Sequence, residues 1–110
     1  LSVFALSTLP SQGPSSASKA PAWSLSQCLR AEMLPHGIRV LNVFPGPIDD
    51  EWNQNVPPPK LPPSALAAAM VRALTDGVED LYPGDVAQEW FARWKDNHKA
   101  LERELVAEGL

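Results

Sequence analysis

The chain has 110 residues, a formal net charge of -4 and an isoelectric point near 5.0. This length suits about one small domain, and because Lys and Arg do not cluster we expect no nucleic-acid partner. No apolar run approaches the roughly 20 residues that cross a bilayer, so we also expect no membrane partner and a soluble, cytoplasmic protein.

Cysteine and histidine are too scarce to form a metal site or a disulfide. Cys28 is the only cysteine, and its neighbours Leu25 and Leu29 predict a buried thiol. The two histidines, His36 and His98, lie 62 positions apart, so their spacing predicts no metal. A serine hydrolase is disfavoured as well, because the chain has no Gly-x-Ser-x-Gly turn to present a nucleophile.

The amino-terminal part of the chain predicts a strand, a loop and a helix. Residues 1–6 are apolar and begin without a turn signal, which indicates a strand entered midway in a truncated chain. Residues 7–14 contain two prolines and a glycine and predict a loop. Apolar residues then recur at helical intervals up to Pro35, although Pro21 would cost this helix about 3 kcal/mol. They are Ala17, Ala20, Trp23, Leu25, Leu29 and Met33.

The middle of the chain predicts a buried strand followed by a long loop. Gly37 ends the helical turn, and residues 38–44 are rich in β-branched and large apolar side chains, as in a parallel strand covered on both faces. Pro45-Gly46-Pro47 stops this strand. Residues 49–63 contain two proline runs, so we expect a long, partly extended loop that acts as a lid.

The remaining third of the chain predicts a helix, a short strand and further helices. Ser64 is placed to cap a helix over residues 65–76, which Gly77 ends. A short strand is predicted over residues 78–82. Asp85 then begins the carboxyl-terminal helices of residues 85–110.

Two apolar stripes run along these carboxyl-terminal helices. The first is predicted to pack in the core and consists of Val86, Trp90, Phe91 and Trp94. The second lies along a charged helix and consists of Leu101, Leu105 and Val106. The alternation of strands and helices along the whole chain predicts an α/β fold with a parallel sheet.

Two motifs in combination carry a family resemblance. Ser2, Ser15 and Lys19 are spaced so that a serine lies thirteen positions before the start of an x-x-x-Lys helix motif. Residues 39–48, Arg-Val-Leu-Asn-Val-Phe-Pro-Gly-Pro-Ile, follow that helix. Together they resemble the carboxyl-terminal half of the short-chain dehydrogenase/reductase family, and the similarity extends over nearly the whole chain. The resemblance implies a single partial Rossmann-type domain over residues 1–110, equivalent to the family's fifth to seventh strands with their helices.

The resemblance also implies a hydride transfer between NAD or NADP and a small alcohol or carbonyl substrate. In such enzymes a serine polarises the carbonyl, a tyrosine transfers the proton and a lysine holds the nicotinamide ribose. Ser2 and Lys19 match the serine and the lysine, whereas Ser15 stands where the tyrosine is usual. The backbone of Pro45, Gly46 and Ile48 matches the segment that contacts the nicotinamide carboxamide.

Three departures from the family pattern predict weak or absent activity. An alkyl hydroxyl is a far weaker acid than a phenol, so Ser15 is expected to be a poor proton donor unless it holds a water with Lys19; its other predicted role is a helix N-cap. Asp50 stands where a threonine near the pyrophosphate is usual. The chain also has no glycine-rich turn between a strand and a helix to receive a pyrophosphate, so cofactor retention is in doubt.

A second hypothesis is a non-catalytic interaction module derived from the same fold. The helix over residues 17–34 would then associate with a second copy of the chain, with Trp23 and Leu25 in the interface. An unpaired apolar strand over residues 1–6 would favour such an association, because an open sheet edge recruits another chain.

Overall fold

The structure is a computed structural model that describes residues 1–7, 11 and 13–108. Its helices are α1 (Gly13–Met33), α2 (Pro63–Asp76) and α3 (Gly84–Ala107), and its strands are β1 (Asn42–Val43) and β2 (Asp80–Leu81). The strands pair in parallel, with Asn42 opposite Asp80 and Val43 opposite Leu81. The predicted α/β fold class with a parallel sheet is therefore confirmed.

The prediction of a strand over residues 1–6 is wrong. Val3–Ala5 forms a 3₁₀ turn, in which the Ser2 hydroxyl accepts a hydrogen bond from the Phe4 amide at 3.2 Å. This segment satisfies its own backbone groups locally, and such bonds compete with a sheet ladder. The Val3 amide connects this turn to the segment after β1 by donating to the Pro45 carbonyl at 3.2 Å.

Both remaining strands are shorter than predicted. β1 covers two residues of the expected 38–44, and Ile38 is 51% exposed rather than covered on both faces. The parallel ladder nevertheless extends one residue beyond β1, because the Phe44 amide donates to the Leu81 carbonyl at 2.8 Å. The two strands thus end together, next to Pro45 and Tyr82.

Helix α1 begins earlier than the sequence predicts. Gly13 and Pro14 already belong to it, and residues 8–10 and 12 of the predicted loop lie outside the described residues. Proline fits the first helical turn because that turn has no acceptor for its missing amide. Ser15 therefore lies inside the first turn and is not the N-cap, and the helix continues through Pro21.

Helices α2 and α3 have other caps than those predicted. Pro62 and Pro83 occupy the N-cap positions, so Ser64 and Asp85 lie within the first turns. Gly77 ends α2 in the left-handed conformation at φ 73, as predicted, because glycine adopts this conformation without steric cost.

Helix α3 consists of two segments, as the sequence indicates. Asn97 has non-helical angles (φ -159, ψ 94), and its side-chain oxygen accepts a hydrogen bond from the Ala100 amide at 3.0 Å. Across this break Arg93 donates to Glu104 at 2.7 Å and lies 3.4 Å from Glu108. Leu101 and Leu105 are buried on the second segment, whereas Val106, the third residue of that apolar stripe, is 63% exposed.

The core lies where α1 and α3 cover the strand ends. Its buried residues are Val3, Phe44 and Ala87. Phe44 is one of five side chains that form an aromatic cluster, in which each ring contacts two others at centroid distances of 3.9 to 6.2 Å: Trp23, Phe44, Tyr82, Phe91 and Trp94. The predicted aromatic stripe is thus part of the core. Cys28, by contrast, is exposed, because it lies on the outer face of α1.

Arg30 joins α1 to the amino-terminal ends of both strands. Its guanidinium donates to the carbonyls of Val40 and Glu79 at 3.1 and 2.6 Å, and to the Asp80 carboxylate at 2.9 Å. The same carboxylate oxygen accepts from the buried amide of Asn42 at 3.3 Å. Since Arg30 contacts the chain before β1, and the amino-terminal half of α1 lies near Pro45, α1 runs antiparallel to the strands.

Arg30→Met is expected to lower the free energy of unfolding by about 2 kcal/mol, because three acceptors lose the half-buried guanidinium that donates hydrogen bonds to them. Urea unfolding followed by circular dichroism measures this change. Arg72→Met, at an exposed position on α2, is the matched control and is expected to stay within about 0.5 kcal/mol of the parent chain. Equal effects of the two substitutions would show that Arg30 does not join the elements.

Candidate active site

A cleft of about 410 Å³ lies at the carboxyl-terminal edge of β1. This is the edge at which open parallel α/β sheets bind their ligands. Its volume falls in the range of roughly 300 to 1,000 Å³ that is typical of small-molecule sites. The lining residues come from the opening turn, α1 and the segment after β1: Leu1, Ser2, Phe4, Ser11, Ser15, Lys19, Pro45, Gly46, Pro47, Ile48, Asn53 and Val56.

All six residues that the sequence singles out line this cleft. Ser2 precedes the 3₁₀ turn, which packs against α1, while Ser15 and Lys19 lie one helical turn apart on α1. Side chains four positions apart share one face of a helix. Pro45, Gly46 and Ile48 border the cleft from the end of β1. The structure thus brings together the two serines, the lysine and the segment after β1, and their chemical roles remain predictions.

The segment after β1 is fixed by packing and by backbone hydrogen bonds. Gly46 packs against Val86 so closely that a Cβ atom on Gly46 would lie 3.0 Å from Val86 Cγ1. On the other side, the Leu61 amide donates to the Pro47 carbonyl, and the Asp49 amide donates to the Leu61 carbonyl, both at 2.8 Å. Residues 48–61 therefore form a loop that is closed at its base by an isolated parallel bridge between Ile48 and Leu61.

The acidic pair after this segment is engaged outside the cleft. Asp50 caps the 3₁₀ turn Glu51–Asn53, and its carboxylate accepts from the Trp52 amide at 3.1 Å and from the Asn53 side chain at 3.0 Å. Asp49 lies 3.4 Å from the Lys60 ammonium. Lys19 is consequently the only ionisable side chain among the described residues that line the cleft. Its charge favours an anionic or weakly acidic ligand group.

No phenol is found among the described residues that line the cleft. Tyr82 is the only tyrosine of the chain, and it stacks between Phe44 and Phe91 at centroid distances of 4.9 and 3.9 Å. Burial, with a smaller contribution from the Asp80 carboxylate, raises the pKa of the Tyr82 phenol above its usual value. Tyr82 is therefore a core residue, and its phenol does not take the place of the proton donor that is missing at position 15.

Several cleft residues were not predicted from the sequence. Asn53 and Val56 belong to the loop that was expected to act as a lid, and Phe4 follows Ser2 by two positions. The proline runs of this loop gave no signal for which of its side chains would face inward. A 3₁₀ turn at residues 3–5 could not be inferred either.

Two other kinds of site are not found in the described ranges. In residues 1–7, 11 and 13–108, no group of three or more His, Cys, Asp or Glu is placed to hold a metal ion. Over the same part of the chain, no helix has the length and apolar character required to cross a membrane.

Gly46→Ala is expected to lower the free energy of unfolding by about 1 to 3 kcal/mol, because the new methyl group overlaps with Val86. Thermal or urea unfolding measures the loss. Val86→Ala in the same chain removes the nearest atom and should restore part of the stability. Gly13→Ala is the matched control: nothing lies within 4 Å of a Cβ there, so no loss is expected. If Gly46→Ala and Gly13→Ala lower the stability by the same amount, Gly46 does not pack tightly against Val86.

Comparison with known proteins agrees with this arrangement. A crystal structure of a short chain dehydrogenase from Burkholderia cenocepacia, in complex with NADP, is 42% identical to the chain and superposes with a TM-score of 0.90. The match covers 96% of this chain and 44% of that one, so the chain spans less than half the length of that dehydrogenase. No curated protein matches the chain. The family model of the short chain dehydrogenases matches residues 1–60, more than half of the chain, and the chain therefore belongs to this family.

Proposed function

We propose that this chain forms the substrate-facing part of an NAD(P)-dependent oxidoreductase that transfers a hydride between the nicotinamide and a small alcohol or carbonyl. The observation that carries the proposal is the meeting of Ser2 and Lys19 in one cleft at the carboxyl-terminal edge of β1. The Ser2 hydroxyl would donate a hydrogen bond to the carbonyl oxygen, since its oxygen already accepts one from Phe4. As a further expectation, the protein acts in the cytoplasm.

The cleft fits the nicotinamide end of the cofactor. Lys19 is a half-buried donor that would hold the ribose hydroxyls, and Pro45, Gly46 and Ile48 offer backbone groups to the carboxamide. When bound, the cofactor would supply or accept the hydride. Because no glycine-rich turn of this chain can receive the pyrophosphate, we expect the 110-residue chain to bind NAD(P) weakly.

Ser15 limits the expected activity. It is exposed at the mouth of the first turn of α1, on the same face as Lys19. A serine hydroxyl at this position is a much weaker acid than a phenol, so a carbonyl oxygen that receives a hydride would lack a good proton source. We therefore propose slow turnover, with a water between Ser15 and Lys19 as the remaining proton source.

Transfer of deuterium tests this function. The chain is joined to the portion of the Burkholderia cenocepacia dehydrogenase that it does not match, and NADPH deuterated at its transferable hydrogen is added with a panel of aldehydes and ketones. We expect a deuterated alcohol by mass spectrometry, and none from the Ser2→Ala, Lys19→Ala double variant. Product formation that is independent of both residues would refute the proposal.

A second candidate function is an interaction module that associates through residues 17–34. The outer face of α1 favours it, because Leu25 is 73% and Leu29 48% exposed beside the exposed Cys28. Sedimentation at several concentrations tests it. A dimer that Leu25→Glu dissociates and Val71→Glu leaves intact would support the module, since Val71 is equally an exposed apolar residue but lies on α2. A monomer that binds NADP would support the oxidoreductase instead.

A further inference from the structure

We propose that the cleft is a binding subsite for a phenol, so that the substrate of this protein is an aromatic compound bearing a free phenolic hydroxyl. The inference rests on the proposed function, of which it names the substrate class. It is drawn from three features of the cleft: its one ionisable side chain among the described residues, its apolar walls and the short side chain of Ser15.

The polar end of the cleft suits a weakly acidic hydroxyl. Lys19 is its only ionisable side chain within the described residues, and the hydroxyl of Ser15 lies one helical turn away on the same face. An ammonium donates to an oxygen and stabilises negative charge on it, whereas a serine hydroxyl both donates and accepts. A phenolic oxygen placed between them would accept from Lys19 and exchange a hydrogen bond with Ser15.

The walls of the cleft suit a planar ring. Phe4 lines one side, and Pro45, Pro47 and Ile48 line the segment after β1, with Val56 contributed by the loop. Aromatic rings stack on such surfaces with favourable dispersion and edge-to-face contacts. The Phe4 ring is held in place, because it packs edge-on against Trp90 at a centroid distance of 5.9 Å.

The side chain of Ser15 is short, and it lines the cleft together with Lys19. A phenol bound there would supply the weak acid that the described lining residues lack. Beside an ammonium a phenol, whose unperturbed pKa is about 10, ionises more readily than in water, whereas a serine hydroxyl remains protonated. A phenolic substrate would thus bring its own proton donor: the phenolic proton would go to the carbonyl oxygen that receives the hydride's electron pair, and the phenolate left beside Lys19 would regain a proton from water.

Titration of the 110-residue chain with p-cresol, followed by NMR of the isotope-labelled protein, tests the proposal. We expect saturable shifts at Lys19, Ile48 and Val56. The saturated analogue para-methylcyclohexanol has the same outline without the acidity or the flat ring, and should bind at least about tenfold more weakly. Equal affinity for the two compounds, or no binding of p-cresol, would overturn the proposal. Tighter binding of p-toluate than of p-cresol would also overturn it, since Lys19 would then select a carboxylate.

Two substitutions place the ligand. Ser15→Tyr puts a phenol of the protein into the same space and should abolish p-cresol binding, whereas Ser24→Tyr, at an exposed position on α1 outside the cleft, should leave it unchanged. Lys19→Met should lower the affinity for p-cresol about tenfold, to that for para-methylcyclohexanol, and it serves as the second variant if Ser15→Tyr does not fold. Unchanged binding by Lys19→Met would contradict the proposal.

Two separate titrations distinguish this inference from the proposed function. Titration of the 110-residue chain with p-cresol reports on the phenol, and titration of the chain joined to the unmatched part of the Burkholderia cenocepacia dehydrogenase with NADP⁺ reports on the cofactor. Absence of NADP⁺ binding by the joined chain, with p-cresol binding intact, would refute the oxidoreductase and leave a phenol site. Binding of NADP⁺ without any p-cresol binding would refute the phenol site alone.

Discussion

Ser15→Tyr is expected to raise the rate of NADPH-dependent carbonyl reduction by about 10² to 10⁴-fold, when the chain is joined to the part of the Burkholderia cenocepacia dehydrogenase that it does not match. This is the usual contribution of a positioned general acid. The tyrosine would lie one helical turn from Lys19, whose positive charge stabilises a phenolate. Steady-state oxidation of NADPH with an aliphatic ketone, which brings no phenol of its own, measures the gain.

Two further variants show whether the gain has this origin. Lys19→Ala in the Ser15→Tyr chain should remove the gain, because the phenolate loses its counter-charge and the ribose loses its donor. Ser24→Tyr adds the same side chain at an exposed position of α1 and should leave the rate unchanged. A Ser15→Tyr chain that binds NADPH and yet reduces the ketone no faster than its parent would show that Ser15 does not occupy the proton-donor position.

Phe44→Ala should lower the free energy of unfolding by about 3 to 5 kcal/mol, the usual cost of removing a buried phenylalanine. Phe44 is 0% exposed, and its ring contacts Trp23 at 5.4 Å and Tyr82 at 4.9 Å between centroids. The substitution therefore removes the side chain that joins Trp23 to Tyr82 in the aromatic cluster of the core. Since small domains are stable by only about 5 to 15 kcal/mol, a large fraction of the total stability would be lost.

Urea unfolding, followed by tryptophan fluorescence and circular dichroism, measures the effect of Phe44→Ala. Trp52→Ala is the control, because Trp52 is also a large aromatic residue but is 84% exposed, and its loss should change the stability by no more than about 0.5 kcal/mol. If Phe44→Ala is as mild as Trp52→Ala, the packing around β1 is not the centre of the core.

Local signals predicted several elements of the fold correctly. Gly37 and Gly77 end helical segments in the left-handed conformation, which glycine alone adopts without steric cost. The aromatic spacing of α3 correctly indicated a buried face, with Ala87 at 0% exposure. These signals work because they depend on backbone geometry and helical periodicity within one segment.

Two other features were predicted wrongly. Residues 1–6 are apolar enough for a strand, yet local hydrogen bonds around Ser2 form a 3₁₀ turn instead. Cys28 has apolar neighbours in the sequence, but its position on the outer face of α1 leaves it exposed. Burial depends on what packs against a helix, and the sequence of the helix does not state this.

Some residues of the candidate site were predicted from the sequence, and others were missed. The spacing of Ser2, Ser15 and Lys19 singled out residues that the structure brings to one cleft. Asn53 and Val56 were missed, because the path of residues 49–63 is set by the bridge between Ile48 and Leu61 at the base of the loop. The sequence singled out Asp50 as a departure from the family pattern but did not indicate that its carboxylate caps the next turn.

The most direct test of the account locates the nicotinamide on the chain. Intermolecular NOEs between the nicotinamide protons of NADP⁺ and the isotope-labelled chain distinguish the cleft from a different cation-lined pocket, which Arg30 and Arg39 border. The account predicts contacts to the Ile48 methyl groups and to the Lys19 methylenes, which Lys19→Ala weakens. Contacts confined to the pocket of Arg30 and Arg39, with none at Ile48, would contradict it.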